Sequence, residues 1–587
     1  MTRSLFAFAV ALVAFSVAAA GAASRPAVEA EHGMVVASER RAAEIGADIL
    51  RQGGNAIDAA VAVGFAEAVT NPCCGNLGGG GFLVAHLAAT KRDIFIDFRE
   101  TAPAAATKTM YLDASGAPIQ GASLDGWRAV ATPGTVLGLD AALKEYGAMS
   151  RDKVMAPAIA LARDGFVLSR ADADIFQAFA WRFKSDPEAA KIFLRPDGSP
   201  LQPGDRLIQS DLAATLQAIA DQGPDAFYRG AIAQRIDAAM RANGGIVAAA
   251  DLAAYKIGEA APLICAYRGL RFVSAPPPSS GGVALCEILN VLEGYDLKGL
   301  GFHSAVGVHL MVEAMRHAFM DRNSYLGDPA FVSNPLDRLL SKDYAARIRD
   351  AILPDKATPS QQVQPGVAPH EKSETTHVSV IDRDGNAVAV TYTINGGFGA
   401  GVIAPGTGFF LNDEMDDFTI KPSVANMFGL VQGEANAIAP GKRPLSSMAP
   451  TLVEKDGGVV LALGSPGGSR IITTVLETAL NLIDYGMGPQ EAVDAPRFHH
   501  QWLPDTVFAE PYAFSPDTQK LLEDMGYKIV VQAPWSAAEV AATAGAAPGE
   551  AGPAAGNPDS VFGGRMRPGF LYGANDDRRP AGAAAGE

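Results

Sequence analysis

The sequence changes character abruptly between residues 374 and 375. Residues 354–374, PDKATPSQQVQPGVAPHEKSE, are polar and proline-rich with no apolar period. They read as a loop or linker, an exposed place where a chain can be cut. The pattern then becomes densely β: THVSVI, the turn Asp382-Arg383-Asp384-Gly385, and NAVAVTYTI. Two alternating runs about an Asp-Gly turn predict a hairpin. The fold must therefore join two segments that meet at the 374/375 boundary.

Before the boundary, residues 54–69 (GNAIDAAVAVGFAEAV) predict a buried helix, followed by a glycine-rich loop from Gly75 to Gly81. DIFIDFRE (93–100) alternates as a strand does, with Arg99 at its end. Residues 130–260 read as mostly helical, with segments ending at glycine. RFVSAPPPSSGG (271–282) predicts a strand entering a rigid loop, and 305–322 an apolar-faced helix. After the boundary, GVVLALG (458–464) predicts a further strand. The Ala/Gly/Pro-rich stretch 536–557 and the tail after Asp577 read as disordered. The residues thus predict an α/β fold with helices surrounding a sheet.

Arg3, the apolar run Leu5 to Val17 and the small residues Ala18 to Ala23 predict a signal peptide over residues 1–23 and an exported chain, periplasmic or secreted. A membrane anchor is the competing reading, but no later run approaches the roughly 18 apolar residues needed to span a bilayer. A net charge of −16 argues against nucleic acid or an anionic membrane surface as partner. Adjacent Cys73 and Cys74 are poorly placed to pair, and Cys265–Cys286 is a possible bridge. Small buried residues are the plainer reading of all four cysteines. No zinc-ligand spacing is present, and neither a metal nor a cofactor is expected.

A threonine hydroxyl needs a base. An N-terminal threonine carries one, because its free α-amine titrates near 7.7–8.0 and lies beside the hydroxyl. Cleavage after Glu374 would give Thr375 that amine and place it at the start of a core strand. Thr-Thr at a strand start also has a plainer explanation in β propensity. The chain lacks a G-x-S-x-G elbow, an H-E-x-x-H pair and a G-x-x-x-x-G-K phosphate loop.

The run TTHVSVIDRDGNAVAVTYTIN (375–395) resembles the start of the small subunit of γ-glutamyltransferases, as do NDEMDDF (412–418), KRPLSSMAPT (442–451), GSPGGSRI (464–471) and APRFHHQWLPD (495–505). GNAIDAAVAV, GNLGGGGF, DFRETAP, ATPGTV, PPPSSGG and LGDPAF continue the resemblance in the first segment, so it extends in order from residue 32 to 534. It implies an N-terminal nucleophile hydrolase, a four-layer αββα sandwich formed by two chains after self-cleavage. Residues 24–374 would be the large subunit and 375–587 the small one, together a heterodimer.

The resemblance further implies that Thr375 is the nucleophile and that Thr393 assists it. Arg99, Ser446 and Ser447 would bind the α-carboxylate of a γ-glutamyl group. Asp417, Glu414 and Asn395 would bind its ammonium, and Gly467 and Gly468 would form the oxyanion hole. Many bacterial relatives have glutamine at the position of Glu414. Residues 422–440 resemble a lid whose central aromatic is often tyrosine; here it is Phe428, which suggests looser closure. Glutathione and related γ-glutamyl compounds are the implied substrates, with water, amino acids or dipeptides as acceptors. A glutaryl-cephalosporin acylase is the alternative on the same fold, and an exported binding protein that never matures is the alternative outside it.

Overall fold

The computed structural model describes residues 24–360, 375–544 and 566–587. The N-terminal leader and the linker end with Glu374 lie outside the described residues, so the expected cleavage points are not described.

Two seven-stranded antiparallel sheets stack face to face. The first runs, in spatial order, Ala583–Gly586, Met34–Ala37, Thr375–Ile381, Ala387–Thr393, Gly80–Leu87, Arg92–Asp97 and Gly258–Glu259. The second runs Val28–Ala30, Leu571–Asn575, Glu539–Thr543, Gly458–Gly464, Thr451–Lys455, Leu270–Ser274 and Leu263–Tyr267. Segments on both sides of the 374/375 boundary therefore supply strands to both sheets.

Strand periodicity explains the layering. Side chains alternate across a strand. In the first sheet Val35, Leu83, Val378 and Val390 face outward into a core shared with the helices Arg40–Arg51 and Ala56–Thr70. Met34, Val36, Phe82 and Val84 face inward, into a core with Phe272, Leu452 and Val540 of the second sheet. Helices Gly281–Leu292, Ala305–Tyr325 and Ile471–Ile483 cover that second sheet. The result is the expected αββα sandwich.

The Ala56–Thr70 helix is buried along its whole length, which suits its alanine-rich sequence. It starts at a capping box, where Asn55 accepts from the Ile57 and Asp58 amides and Asp58 accepts from the Asn55 amide. The hairpin turn is tied to the same helix start: Asp382 accepts from the Asp384, Asn386 and Ala56 amides.

Three sequence expectations are corrected. Residues 539–543 form a buried strand inside the second sheet, not a disordered stretch; only the part of the expected insert from residue 545 onward lies outside the described residues. The tail after Asp577 is likewise ordered, with Ala583–Gly586 pairing along Met34–Ala37. Both strands are short and rich in alanine, a composition that single-sequence reading confuses with a linker. Finally, the cysteines are not free. Cys73 is bonded to Cys74, and Cys265 on a strand to Cys286 on the helix covering it.

Far along the strands, an ionic cluster ties the sheets together. His86 Nδ1 lies 2.8 Å from Asp93 Oδ1 and 3.0 Å from Glu454 Oε1. Arg271 pairs with the same two acids, at 2.5 Å from Asp93 Oδ2. Two cations thus balance two anions, which makes this an ion-pair clasp. Burial alone would depress the imidazole pKa, but Asp93 and Glu454 outweigh it and hold it up at about 9. A raised histidine stabilises the fold fully below its unfolded value near 6.5 and loses that contribution as pH rises through 9. Thermal melts from pH 6 to 9.5 should therefore show a loss of about 1–3 kcal/mol in the wild type that His86→Gln lacks. Parallel curves for the two proteins would contradict this assignment.

Candidate active site

The hairpin register brings the two predicted threonines together. Thr375 pairs with Thr393 at the open end of the hairpin, and their Oγ1 atoms lie 3.2 Å apart. Thr393 Oγ1 also accepts the Asn395 amide at 2.8 Å, which fixes its position beside Thr375. Thr375 and Thr393 are both buried, and their side chains face the space between the sheets. Behind them the sheets touch: a Cβ on Gly464 would come within 2.2 Å of His377 Cε1, so only glycine fits there.

A small pocket opens on this pair. Every predicted site residue that the structure describes lines it, except Gly467, which directly precedes pocket-lining Gly468. Met448 and Ile471 supply apolar wall.

Opposite the threonines lies a buried charge cluster. Arg99, just past the end of the Arg92–Asp97 strand, has no solvent exposure. Its Nη2 meets Asp417 Oδ2 at 2.5 Å, its Nη1 pairs with Glu414, and its Nε donates to Pro444 O at 3.2 Å. The sequence reading assigned Arg99 and the acids to opposite ends of a ligand; here they contact one another directly. Both acids come from one short 3-10 turn, Glu414–Asp417. Asn412 fixes that turn: its side chain accepts from the Glu414 and Ala131 amides and donates to Gly78 O at 2.7 Å. The turn is thereby held to the glycine-rich loop of the first segment.

Burial and the neighbouring acids push the Glu414 carboxyl well above its ordinary value, against the pull of Arg99. Burial raises Asp417 as well, opposed by Arg99 and Arg322. The acid-rich character of this end of the pocket favours an incoming cation.

Ser446 and Ser447 sit beside the cluster. Ser446 Oγ accepts the Met448 amide at 3.1 Å, and its carbonyl accepts from Ser280. Ser447 Oγ accepts from Arg322 at 3.1 Å. Sequence reading missed Arg322. It is a buried guanidinium on the Ala305–Tyr325 helix that also donates to Ser280 Oγ and Gln432 Oε1. Burial lowers its pKa to about 10. The available signal was an arginine on an apolar-faced helix four residues before LGDPAF.

Gly467 and Gly468 lie between the Gly458–Gly464 strand and the Ile471–Ile483 helix, with φ of +142° and +53°. A Cβ on Gly467 would meet Ser536 Oγ at 2.1 Å, and one on Gly468 would meet the Phe428 ring at 2.4 Å. Phe428 therefore packs directly on this turn. The segment around it is well tied: Asn426 Oδ1 accepts the Phe428 and Leu430 amides, Met427 N donates to Asp416, and Gln501 donates to Phe428 O at 3.0 Å. Asn395 meets this segment at Met427 Sδ, 3.5 Å away.

Comparison with known proteins agrees with this architecture. Residues 42–585 match the gamma-glutamyltranspeptidase family. A glutathione hydrolase proenzyme of Pseudomonas sp. (strain A14) is 54% identical over 100% of this chain and 99% of its own. One from Escherichia coli (strain K12) is 51% identical over 86% of this chain and 87% of its own. Among solved structures, a cephalosporin acylase from Bacillus halodurans superposes with a TM-score of 0.79 at 27% identity, covering 96% of this chain and 97% of that one. With the match running through both sheets and the whole pocket, the chain belongs to the γ-glutamyltranspeptidase family.

Proposed function

We propose that this protein is a self-processing γ-glutamyl hydrolase and transpeptidase acting on glutathione and related γ-glutamyl compounds. The observation that carries this reading is one pocket with the Thr375–Thr393 pair at one end and the Arg99–Glu414–Asp417 cluster at the other. The names of relatives at 54% and 51% identity support it.

Cleavage after Glu374 divides the chain into a large subunit, 24–374, and a small one, 375–587, and gives Thr375 a free α-amine. That amine takes the hydroxyl proton as Oγ1 attacks the γ-carbonyl, with Thr393 donating a hydrogen bond to the attacking oxygen. Backbone N–H groups of Gly467 and Gly468 stabilise the tetrahedral oxyanion. The amine then returns the proton to the leaving nitrogen as the C–N bond breaks, which releases cysteinylglycine when the substrate is glutathione. An ester on Thr375 remains. Water, an amino acid or a dipeptide attacks that ester and regenerates the hydroxyl.

Recognition follows from charge matching. The glutamyl α-carboxylate takes Arg99, Ser446 and Ser447, and its ammonium takes Asp417, Glu414 and Asn395. A zwitterion exchanges partners with the cluster and leaves no charge unmatched. A glutaryl group would draw Arg99 away and supply no cation to the acids, which a buried site does not tolerate cheaply. This disfavours the acylase reading, which the fold of the Bacillus halodurans enzyme otherwise keeps open. The sequence of residues 1–23 supports export. Among the described residues no helix is long and apolar enough to cross a membrane.

Purified protein should run as two chains on a denaturing gel, with the smaller beginning TTHVSV. Thr375→Ala should remain uncut and inert, and an intact yet active single chain would sink the mechanism. Arg99→Ala and Asp417→Ala should each lose about 2–5 kcal/mol of transition-state binding, read as at least a roughly thirtyfold fall in kcat/KM. Equal turnover of γ-glutamyl and glutaryl anilides by the wild type would instead favour the acylase. At the lid, a hydroxyl added at Phe428 can gain a hydrogen bond worth about 0.5–1.5 kcal/mol. Phe428→Tyr should raise the transfer-to-hydrolysis ratio about two- to tenfold at fixed dipeptide. An unchanged ratio would assign water exclusion to the packing of Phe428 on Gly468.

A further inference from the structure

On the face of the first sheet turned away from the pocket, a carboxyl with no assigned role touches the residue next to the nucleophile. Glu67 lies in the Ala56–Thr70 helix, among alanines and valines, with no solvent exposure. Its Oε2 accepts the Thr376 hydroxyl at 2.6 Å, and Tyr392 OH lies 3.4 Å from the same oxygen. Thr376 and Tyr392 are cross-strand partners, the pair immediately next to Thr375 and Thr393. Tyr392 OH also donates to Gly64 O at 3.0 Å, one helical turn before Glu67. The helix thus grips the hairpin from behind, one residue from its reactive end.

That position has a mechanical consequence once the chain is cut. A residue inside a strand is held by its neighbours on both sides, whereas a terminal residue is held on one side and frays. We propose that Glu67 is a positioning residue that anchors Thr376 and so keeps the chain-terminal Thr375 in register opposite Thr393. The proposal rests on the reading of Thr375 as an N-terminal nucleophile. A small displacement of an attacking oxygen is costly to rate while leaving substrate binding intact, so the anchor acts on kcat and not on KM.

The surroundings of Glu67 suggest which substitution should preserve the anchor. Burial drives its pKa up to about 8, against the Thr376 hydrogen bond; Glu39 adds to the rise, and Arg579 and Tyr392 oppose it. At neutral pH the group is therefore mainly a neutral acid whose carbonyl oxygen accepts from Thr376. Glutamine has the same shape and the same acceptor, and leucine has neither.

The test measures γ-glutamyl anilide turnover by the purified, processed enzyme. Glu67→Leu and Thr376→Val should each lower kcat at least about tenfold, with KM within about twofold. Because both remove one contact, the double variant should lose no more than the worse single one. Glu67→Gln should keep kcat within about twofold of wild type. Hydrogen exchange of amides 376–381 should be faster in processed Thr376→Val than in processed wild type. In the uncut Thr375→Ala background, where the peptide bond still tethers the strand, Thr376→Val should change it little. Should Glu67→Leu stay insoluble or uncut, the isosteric Thr376→Val against Thr376→Ser carries the same comparison. Unchanged kcat in Thr376→Val, losses that multiply in the double variant, or a Gln variant as poor as the Leu variant would overturn the proposal. Failure of the nucleophile reading is visible separately, as a wild type that is active while uncut or an active Thr375→Ala.

Discussion

The constraint on which the rest of the structure depends is the burial of a strand whose first residue lines the pocket. Thr375–Ile381 lies between Met34–Ala37 and Ala387–Thr393 in the middle of a sheet. Helices cover it on one side and a second sheet on the other. Its odd-numbered residues Thr375, His377 and Ser379 face the second sheet, and its even-numbered residues Thr376, Val378 and Val380 face the helices. One period-2 pattern therefore sends the Thr375 hydroxyl to the pocket and the Thr376 hydroxyl to the helix. A slip of one residue would exchange them. The Asp382 turn, tied to the start of the Ala56–Thr70 helix, fixes that register from the far end of the hairpin.

The charge cluster obeys a different economy. Burying Arg99 without partners would cost many kilocalories, so the chain surrounds it with Glu100, Glu414 and Asp417. These acids in turn repel one another, and burial raises their pKa values. A site built this way is stable only as a set, with each charge waiting to exchange one partner for another. That property suits a ligand carrying both charges on one carbon. Arg322 extends the set toward the Phe428 segment, because one guanidinium holds Ser447 on the pocket wall and Gln432 four residues beyond Phe428.

Much of this was legible in the sequence, for identifiable reasons. The hairpin at 375–394 declares itself through alternation and turn chemistry, and the 458–464 strand and the 54–69 helix through apolar runs that suit full burial. The described site residues that the resemblance implied converge on one pocket, with Gly467 one residue beyond it. What sequence did not reveal falls into two physical classes. The strands Glu539–Thr543 and Ala583–Gly586 are short and rich in alanine, and alanine carries no periodic signal. Arg322 and the Glu67–Thr376 contact depend on distances between residues more than a hundred positions apart, where no local pattern marks them. The Cys73–Cys74 bond was missed because adjacency in sequence argued against it.

The pocket also does not depend on the peptide bond between residues 374 and 375. Arg99, Ser280 and Arg322 come from the first segment, and the threonines, acids and serines from the second. Between them run contacts made across the interface. The Ser280 amide and hydroxyl both donate to Ser446 O, and the Ser446 amide donates to Pro278 O. Asn412 joins the acidic turn to Gly78 and Ala131, and Thr391 and Thr393 pair along Phe82 and Gly80. Each sheet is itself a composite of the two segments. Severing the chain at the boundary would thus remove a tether without removing a wall of the site. Its main local effect would be to free the one residue that the pocket is built around, so the contacts that hold Thr375 from the side and from behind must do the work that its lost neighbour did.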